Sequence, residues 1–305
     1  MKTISTLTNW KIPAIAIGCM RIAALENAAL DELIYTAIDV GANFFDHADI
    51  YGRGGGCEEA FGRRLKERPD LREKIILQSK CGIRRTFYDF STEHILFSVD
   101  ESLRRLNTDY LDALVLHRPD ALVEPEEVAK AFDVLEASGK VHFFGVSNHS
   151  PGQIALLKKY VRQPLLFNQL QLSPVHTAMI DSGINVNTRF DEAVDRDGGV
   201  LDYCRLNDMV IQAWSPFQHG FIEGVFLENQ AFEKVNTVLK EIGERYGISS
   251  SAAVVAWLLR HPAKIQPIVG STNPARIREI AKAAEISLTR PEWYEIYRAA
   301  GNRLP

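Results

Sequence analysis

Short, nearly continuous apolar runs alternate with longer stretches in which apolar residues recur at three- and four-residue intervals, from one end of the chain to the other. The short runs predict strands at Ala14–Ile17, Asn43–Asp46, Ile75–Ser79, Tyr110–Leu116, Phe143–Ser147, Phe167–Gln171, Met209–Ala213 and Ile265–Val269. They show little in–out alternation, so they read as parallel strands buried on both faces. The longer stretches predict helices at Leu30–Val40, Glu58–Lys66, Thr92–Leu106, Pro125–Ser138, Pro151–Lys159, Val200–Arg205 and Pro274–Ala284. In the first of these, Leu33, Ile34, Ala37 and Ile38 share one face. Capping signals agree: Ser91, Ser150 and Asn273 stand where helices begin, and Gly41 and Gly139 where they end.

Eight such βα units, with no linker rich in Gly, Pro or Ser between them, predict an α/β fold. The form expected is a (β/α)8 TIM barrel occupying residues 1–305 as one domain. Further helices are expected at Gln230–Tyr246 and Ser250–His261, before the last strand, and at Thr289–Ala300, all as exterior packing. The segment Pro174–Gly199 is long, polar and without a sustained period. It follows a strand's C-terminal end, so it emerges on the face where barrels place their chemistry. Residues about Ile180 to Asp197 are expected to fold over a substrate pocket there, with Arg189 or Arg196 able to meet an anionic group.

Composition narrows the function classes. The chain has 305 residues, 46% hydrophobic and 24% charged, with a formal net charge of −4 and the signs mixed along its length. No basic stripe offers itself to nucleic acid. Cys19, Cys57, Cys81 and Cys204 form no C-x-x-C pair and no cluster at zinc spacing, which predicts free thiols in the cytoplasm and no metal. The run Ile12–Met20 is broken by Pro13 and Gly18, too short for a membrane span and unlike a signal peptide.

Polar residues gather at the predicted C-terminal ends of strands. Asp46 ends the second strand and Tyr51 follows it; Lys80 ends the third and His117 the fourth. A phenol with a pKa of ~10 is a weak acid near neutrality unless positive charge stabilises the phenolate. Lys80 could supply that charge, Asp46 could hold the ammonium, and His117 could hydrogen-bond a substrate oxygen. This set suits protonation of an alkoxide formed when a carbonyl accepts hydride. No side chain donates hydride, so the chemistry requires a nicotinamide cofactor.

Five runs carry a resemblance: Gly41-Ala-Asn-Phe-Phe-Asp-His-Ala-Asp-Ile-Tyr-Gly52, Gln78-Ser-Lys-Cys-Gly82, Leu116-His-Arg-Pro-Asp120, Phe144-Gly-Val-Ser-Asn148 and Ala213-Trp-Ser-Pro-Phe217. In order and spacing the chain resembles the aldo-keto reductase superfamily, from about Ile15 to the last helix. The resemblance is nearest a bacterial oxidoreductase group sharing HADIYG, SKCG and HRPD. It implies NADPH-dependent reduction of an aldehyde or ketone, with Asp46, Tyr51, Lys80 and His117 as the catalytic tetrad and Tyr51 as proton donor. It implies nicotinamide contacts at Ser147, Asn148 and Gln169, and ring stacking on Trp214. Pyrophosphate contacts are implied at Ser215, Phe217 and Gly220, and contacts to the adenosine 2′-phosphate at Ser271, Thr272 and Arg276. Gly18, Met20, Arg21, Asp46 and Gly270 complete the implied cofactor site. A guanidinium at Arg276 suits a phosphate in charge and geometry. The chain departs from many relatives at Gly270, where they carry lysine, and at Ile280, where they carry an adenine-contacting asparagine. It also departs at Met20, where they place a tryptophan, and at His47, which replaces threonine and reads as a hydrogen-bonding residue beneath the site. A non-catalytic NADPH-binding sensor is the alternative from another class. A metal-dependent barrel hydrolase lacks its ligand set at the strand ends.

Overall fold

The computed structural model describes every residue from Met1 to Pro305. Eight parallel strands close into a barrel: β1 Ala16–Gly18, β2 Phe44–Asp46, β3 Ile76–Cys81, β4 Leu111–Leu116, β5 Val141–Ser147, β6 Leu165–Gln171, β7 Val210–Trp214 and β8 Ile265–Val269. Strand β8 closes the ring by pairing with both β7 and β1, Gln266 opposite Gln212 and Val269 opposite Ile17. The outer layer comprises α1 Asn27–Asp39, α2 Tyr51–Glu67, α3 Thr92–Leu106, α4 Pro125–Ala137, α5 Pro151–Tyr160, α6 Ala178–Ile184, α7 Val200–Leu206, α8 Glu233–Tyr246, α9 Ser250–Arg260, α10 Pro274–Ala281 and α11 Arg290–Ala299. The anticipated caps form. Ser91, Ser150 and Asn273 accept backbone N–H bonds at the starts of α3, α5 and α10, and Gly41 and Gly139 take left-handed φ just past α1 and α4. No helix is long and apolar enough to cross a membrane.

The first strand begins two residues later than the apolar run predicts. Lys11–Pro13 is diverted into a hairpin with Thr3–Ser5, and the Ala14 amide donates to the Lys2 carbonyl. The hairpin plugs the barrel floor. Ile12 is fully buried with Phe44 and Phe167, and Trp10 stacks on Phe143 with ring centroids 4.3 Å apart.

Above this apolar floor the barrel interior turns polar. Gln78, Gln169, Gln212 and Gln266, from four strands, are all buried. Gln78 and Gln169 donate to Gln212 Oε1 at 2.9 and 3.1 Å, Gln212 donates to Gln266 at 2.9 Å, and Gln266 donates to the Pro13 carbonyl at 2.7 Å. A buried amide without partners would be costly; these four satisfy one another.

Contrary to the expectation from its position after a strand, the segment 174–199 does not cover the pocket above β2 to β4. It folds into α6 and a short 3-10 turn at Asp191–Ala193, and it lies against the C-terminal part of the chain. Tyr297 donates to Asp181 at 2.6 Å, Asn302 donates to the Pro174 carbonyl at 2.9 Å, and Arg303 sits over the Phe190 ring. With Arg260, His261 and Trp293 the segment walls a separate cavity of about 640 Å3 on the outer wall. Arg196 turns back onto the Val194 carbonyl. Sequence polarity identifies an excursion, but the contacts that fix it come from residues about a hundred positions away. Replacing Ile180–Asp197 with a short Gly-Ser linker is therefore expected to lower Tm by a few degrees, since each ~1 kcal/mol lost shifts a chain of this size by ~1.5 °C. KM for carbonyl substrates should be unchanged, as thermal melts and steady-state kinetics would show; a raised KM would return the segment to the pocket.

Candidate functional site

The strand register delivers the four polar residues to one place. Asp46 ends β2 opposite Gln78 of β3, and Lys80 sits two residues beyond Gln78 on the same inward face. Backbone pairing continues past the strand ends: the Asp49 amide donates to the Lys80 carbonyl at 3.0 Å, and the His117 amide to the Cys81 carbonyl at 2.9 Å. The loops that carry Tyr51 and His117 are thus held in register.

Lys80 is wholly buried, and its ammonium donates to Asp46 Oδ2 at 2.8 Å, the His47 carbonyl at 2.7 Å and the Tyr51 hydroxyl at 3.3 Å. Asp46 Oδ1 accepts from Gln78 at 2.6 Å and from Gln169 at 3.1 Å. Burial works against the Lys80 charge, but Asp46 and Tyr51 outweigh it and carry the pKa above the ordinary lysine value. Burial raises the Tyr51 phenol, Lys80 pulls it back, and the net shift is upward, so the phenol stands protonated. His117 meets Tyr51 edge-on at 5.8 Å. Burial, then Lys80 and Arg118, hold it well below the usual histidine range, so the ring is neutral; its Nδ1 is buried without a partner. The arrangement places a loaded proton donor beside a fixed cation and a neutral imidazole.

Tyr51 opens a turn of four consecutive left-handed residues, three of them glycine. Gly52, Arg53, Gly54 and Gly55 all take left-handed φ before α2 becomes regular. A Cβ on Gly52 would lie 2.7 Å from the Cys57 nitrogen, and one on Gly55 2.4 Å from Arg105 Nε. Arg105, packed on Gly55, donates to buried Glu58 at 2.8 Å, and Glu58 also accepts from Ser79 at 2.5 Å. One carboxylate thereby ties the turn after Tyr51 to the strand that carries Lys80.

Asp49 shares this interior. Burial and then repulsion from Glu58 push its carboxyl up to about 7, against the pull of Arg105 and Lys80. The folded protein keeps a proton that the unfolded chain releases near pH ~4. Stability from this group is therefore present below about pH 4 and lost as pH rises towards 7. Asp49→Asn should flatten the fall of Tm across that window, with each pKa unit equivalent to about 1.4 kcal/mol at most. Superimposable Tm–pH curves for the two proteins would refute it. His47, expected to hydrogen-bond beneath the site, does not. Both ring nitrogens are buried without partners, the ring packs edge-on to Phe61 at 4.9 Å, and burial, then Lys80, lowers its pKa to about 3. The His47 backbone, through its bond to Lys80, is what serves the site.

A cavity of about 1300 Å3 opens above these residues. Its wall includes Asp46, Tyr51 and His117, and also Gly18, Met20, Arg21, Ser147, Asn148, Gln169, Trp214, Ser215, Phe217, Gly270, Ser271 and Arg276. Lys80 lies behind the wall; Gly220 and Thr272 stand outside it. The Gly220 carbonyl instead accepts from Gln171, pinning the loop after β7. Asn148 and Ser215 hold left-handed φ of 58° and 52°, uncommon for residues with side chains and typical of sites under functional constraint. Asn148 accepts the Trp214 indole N–H at 3.2 Å and donates to Ser147 at 2.8 Å, fixing the indole plane. The sequence missed a further part of the wall. Asn236, Thr237 and Lys240 of α8 and Ser249–Ser251 at the start of α9 line it, although both helices read as packing; Phe221 and Ile222 line it from the loop after β7. Their signal was the polar face of α8 and the serine run, which solvent exposure explained equally well.

Residues 14–300 match the model of the aldo/keto reductase family. The chain is 40% identical over 286 residues to the uncharacterized oxidoreductase YcsN of Bacillus subtilis, covering 90% of this chain and 88% of the relative. It is 36% identical over 313 residues, 98% of each chain, to a 6-dehydroglucose reductase of Agrobacterium fabrum. A solved aldo/keto reductase from Klebsiella pneumoniae, in complex with NADP and acetate, superposes with a TM-score of 0.77 at 22% identity, covering 100% of this chain and 97% of that one. With an eight-stranded barrel, four convergent polar side chains and a match across residues 14–300, the chain belongs to the aldo/keto reductase family and is an oxidoreductase.

Proposed function

We propose that the chain, acting as a single domain over residues 1–305, reduces an aldehyde or ketone to an alcohol with NADPH, Tyr51 giving the proton. The observation that carries this reading is the chain of contacts from Asp46 through Lys80 to the Tyr51 hydroxyl, 2.8 and 3.3 Å, at the wall of a large cavity. The residues present fit the cofactor. The cavity runs from Tyr51 and His117 to Ser271 and Arg276, where the N-terminus of α10 offers its dipole to an anion. Trp214 offers a fixed ring for stacking, and Ser147, Asn148 and Gln169 offer amide and hydroxyl groups. When bound, the nicotinamide would supply hydride to the carbonyl carbon. Tyr51 donates its proton to the carbonyl oxygen as negative charge grows there. Lys80 stabilises the resulting phenolate, Asp46 holds Lys80, and neutral His117 orients the oxygen by hydrogen bonding. The NADP complex of the Klebsiella relative and the reductase name of the Agrobacterium relative support the same reading. Four buried, unpaired thiols fit a reducing compartment such as the cytoplasm.

Oxidation of NADPH, followed against a panel of aldehydes and ketones, tests the proposal; no turnover on any of them would end it. For cofactor choice, Arg276 is exposed at the cavity edge and free to pair with a phosphate. Such a charge-assisted bond contributes about 1.5–3 kcal/mol. Arg276→Ala should raise Kd for NADPH roughly tenfold or more while leaving NADH binding as it was. Equal NADPH affinity in the two proteins would remove Arg276 from the site.

A further inference from the structure

Around the Tyr51 hydroxyl, one wall group has no task in the chemistry above. Arg118 follows His117 directly, is half-buried, and lines the cavity together with Met20, Ile50, Ile83 and Phe221. It takes part in no ion pair and no hydrogen bond; its guanidinium carbon instead lies 5.7 Å from the Trp214 ring and 5.6 Å from the Phe221 ring. The neighbouring acid does not reach it, because Asp120 spends its oxygens on the Phe90 and Leu122 amides. Asp89 is paired with Arg84, and Asp46 with Lys80. Arg21, the other arginine of the wall, is exposed and borders Gly270, on the side away from this group.

A half-buried cation with five donors therefore faces the cavity with no protein acceptor committed to it. Two aromatic rings offer it a partial counterpart. The same cavity carries Met20, Ile50, Ile83 and Phe221, so an incoming molecule meets one planar cation together with hydrophobic surface, and the imidazole proposed to receive the carbonyl oxygen is the neighbouring residue in the chain. A guanidinium fork in that setting matches an oxyanion with two coplanar oxygens.

We infer that Arg118 is a specificity-determining residue, and that the preferred carbonyl substrate carries an oxyanion, a carboxylate or a phosphate ester, on a short chain. This rests on the carbonyl-reductase reading. It also reassigns the role expected of Arg189 or Arg196 to a residue on the strand-four loop, since the segment holding those two lies on the outer wall.

The test compares matched pairs with the full chain and NADPH: succinate semialdehyde against butanal for the carboxylate, and dihydroxyacetone phosphate against dihydroxyacetone for the phosphate. The wild-type protein is expected to favour at least one anionic member by about tenfold to a hundredfold in kcat/KM, the range of one charge-assisted bidentate contact. Arg118→Met should bring that ratio close to one, and Arg118→Lys should fall between, keeping charge but losing the fork. Succinate, as a non-reacting probe, should raise Tm of the wild-type protein with NADP+ bound and have no such effect on Arg118→Met. The pair that responds identifies the oxyanion. Equal or better turnover of the neutral members, including a neutral sugar aldehyde, would overturn the inference while leaving the reductase reading intact. Loss of both members in the same proportion in Arg118→Met would assign Arg118 to His117 instead. Absence of turnover on every carbonyl would fail the reductase reading itself, with the succinate shift still able to report on Arg118.

Discussion

Tyr51→Phe is expected to reduce carbonyl turnover by ~100- to 10,000-fold while Kd for NADPH stays within a factor of about two, because removing an acid catalyst costs this much and the cofactor has other partners. The geometry makes the loss specific. The phenol is protonated and meets Lys80 at 3.3 Å, and no second acid is placed to replace it. His117 is neutral with a strongly lowered pKa, and Lys80 is buried behind the cavity wall. Phenylalanine keeps the ring and its edge contact with His117, so folding should be little affected. Steady-state assays paired with fluorescence titration of NADPH would decide it. A kcat near the wild-type value would mean that the proton comes from elsewhere.

Lys80→Met should be more damaging, since it fails on two counts. Tyr51 loses the cation that makes its phenolate accessible, and Asp46 is left as a carboxylate without its charge partner in a site nearly closed to water. Removing one member of a buried ion pair typically costs about 3–5 kcal/mol. In a chain of this size that should lower Tm by roughly 5–8 °C. The informative variant is the double substitution. Lys80→Met combined with Asp46→Asn removes both charges and should recover much of the lost stability, yet turnover should stay at the level of the single variant. If the double variant melts as early as Lys80→Met, packing around the lysine stem, and not the stranded charge, sets the cost.

The barrel itself is legible because its strands are largely buried on both faces and alternate with helices, three of which, α3, α5 and α10, begin on side-chain caps. The sequence is ambiguous where a local pattern has two readings. The run through Ile12 and Ile17 is apolar throughout, so nothing in it marks the point at which the chain leaves the floor hairpin and enters β1. The segment 174–199 is polar because much of it is exposed; the contacts that fix it, through Asp181 and Phe190, depend on a C-terminal helix no window could connect to it. Asp46, Tyr51, Lys80 and His117 were visible as polar residues at strand ends. Gln78, Gln212 and Gln266 were not, since an amide inside an apolar strand reads as a blemish until four of them are found at one level. His47 is the opposite case, its polarity inviting partners that burial against Phe61 does not provide.

The glutamine ladder bears on how the barrel responds to a change of charge. Asp46 Oδ1 takes its two hydrogen bonds from Gln78 and Gln169, whose amides are engaged in turn with Gln212, Gln266 and the Pro13 carbonyl on the floor. Each amide fixes the orientation of the next, so none can flip without breaking its neighbour's bond. In water, dipoles around a carboxylate turn whenever a nearby proton or electron pair moves, and that turning is part of the barrier. Here the dipoles were set when the chain folded, and they have little freedom to relax. For the reaction proposed above, the interior beneath the site would then act as a stiff dielectric: it would hold the potential at Lys80 nearly constant as a proton leaves Tyr51, so that little of the activation barrier would go into rearranging the medium.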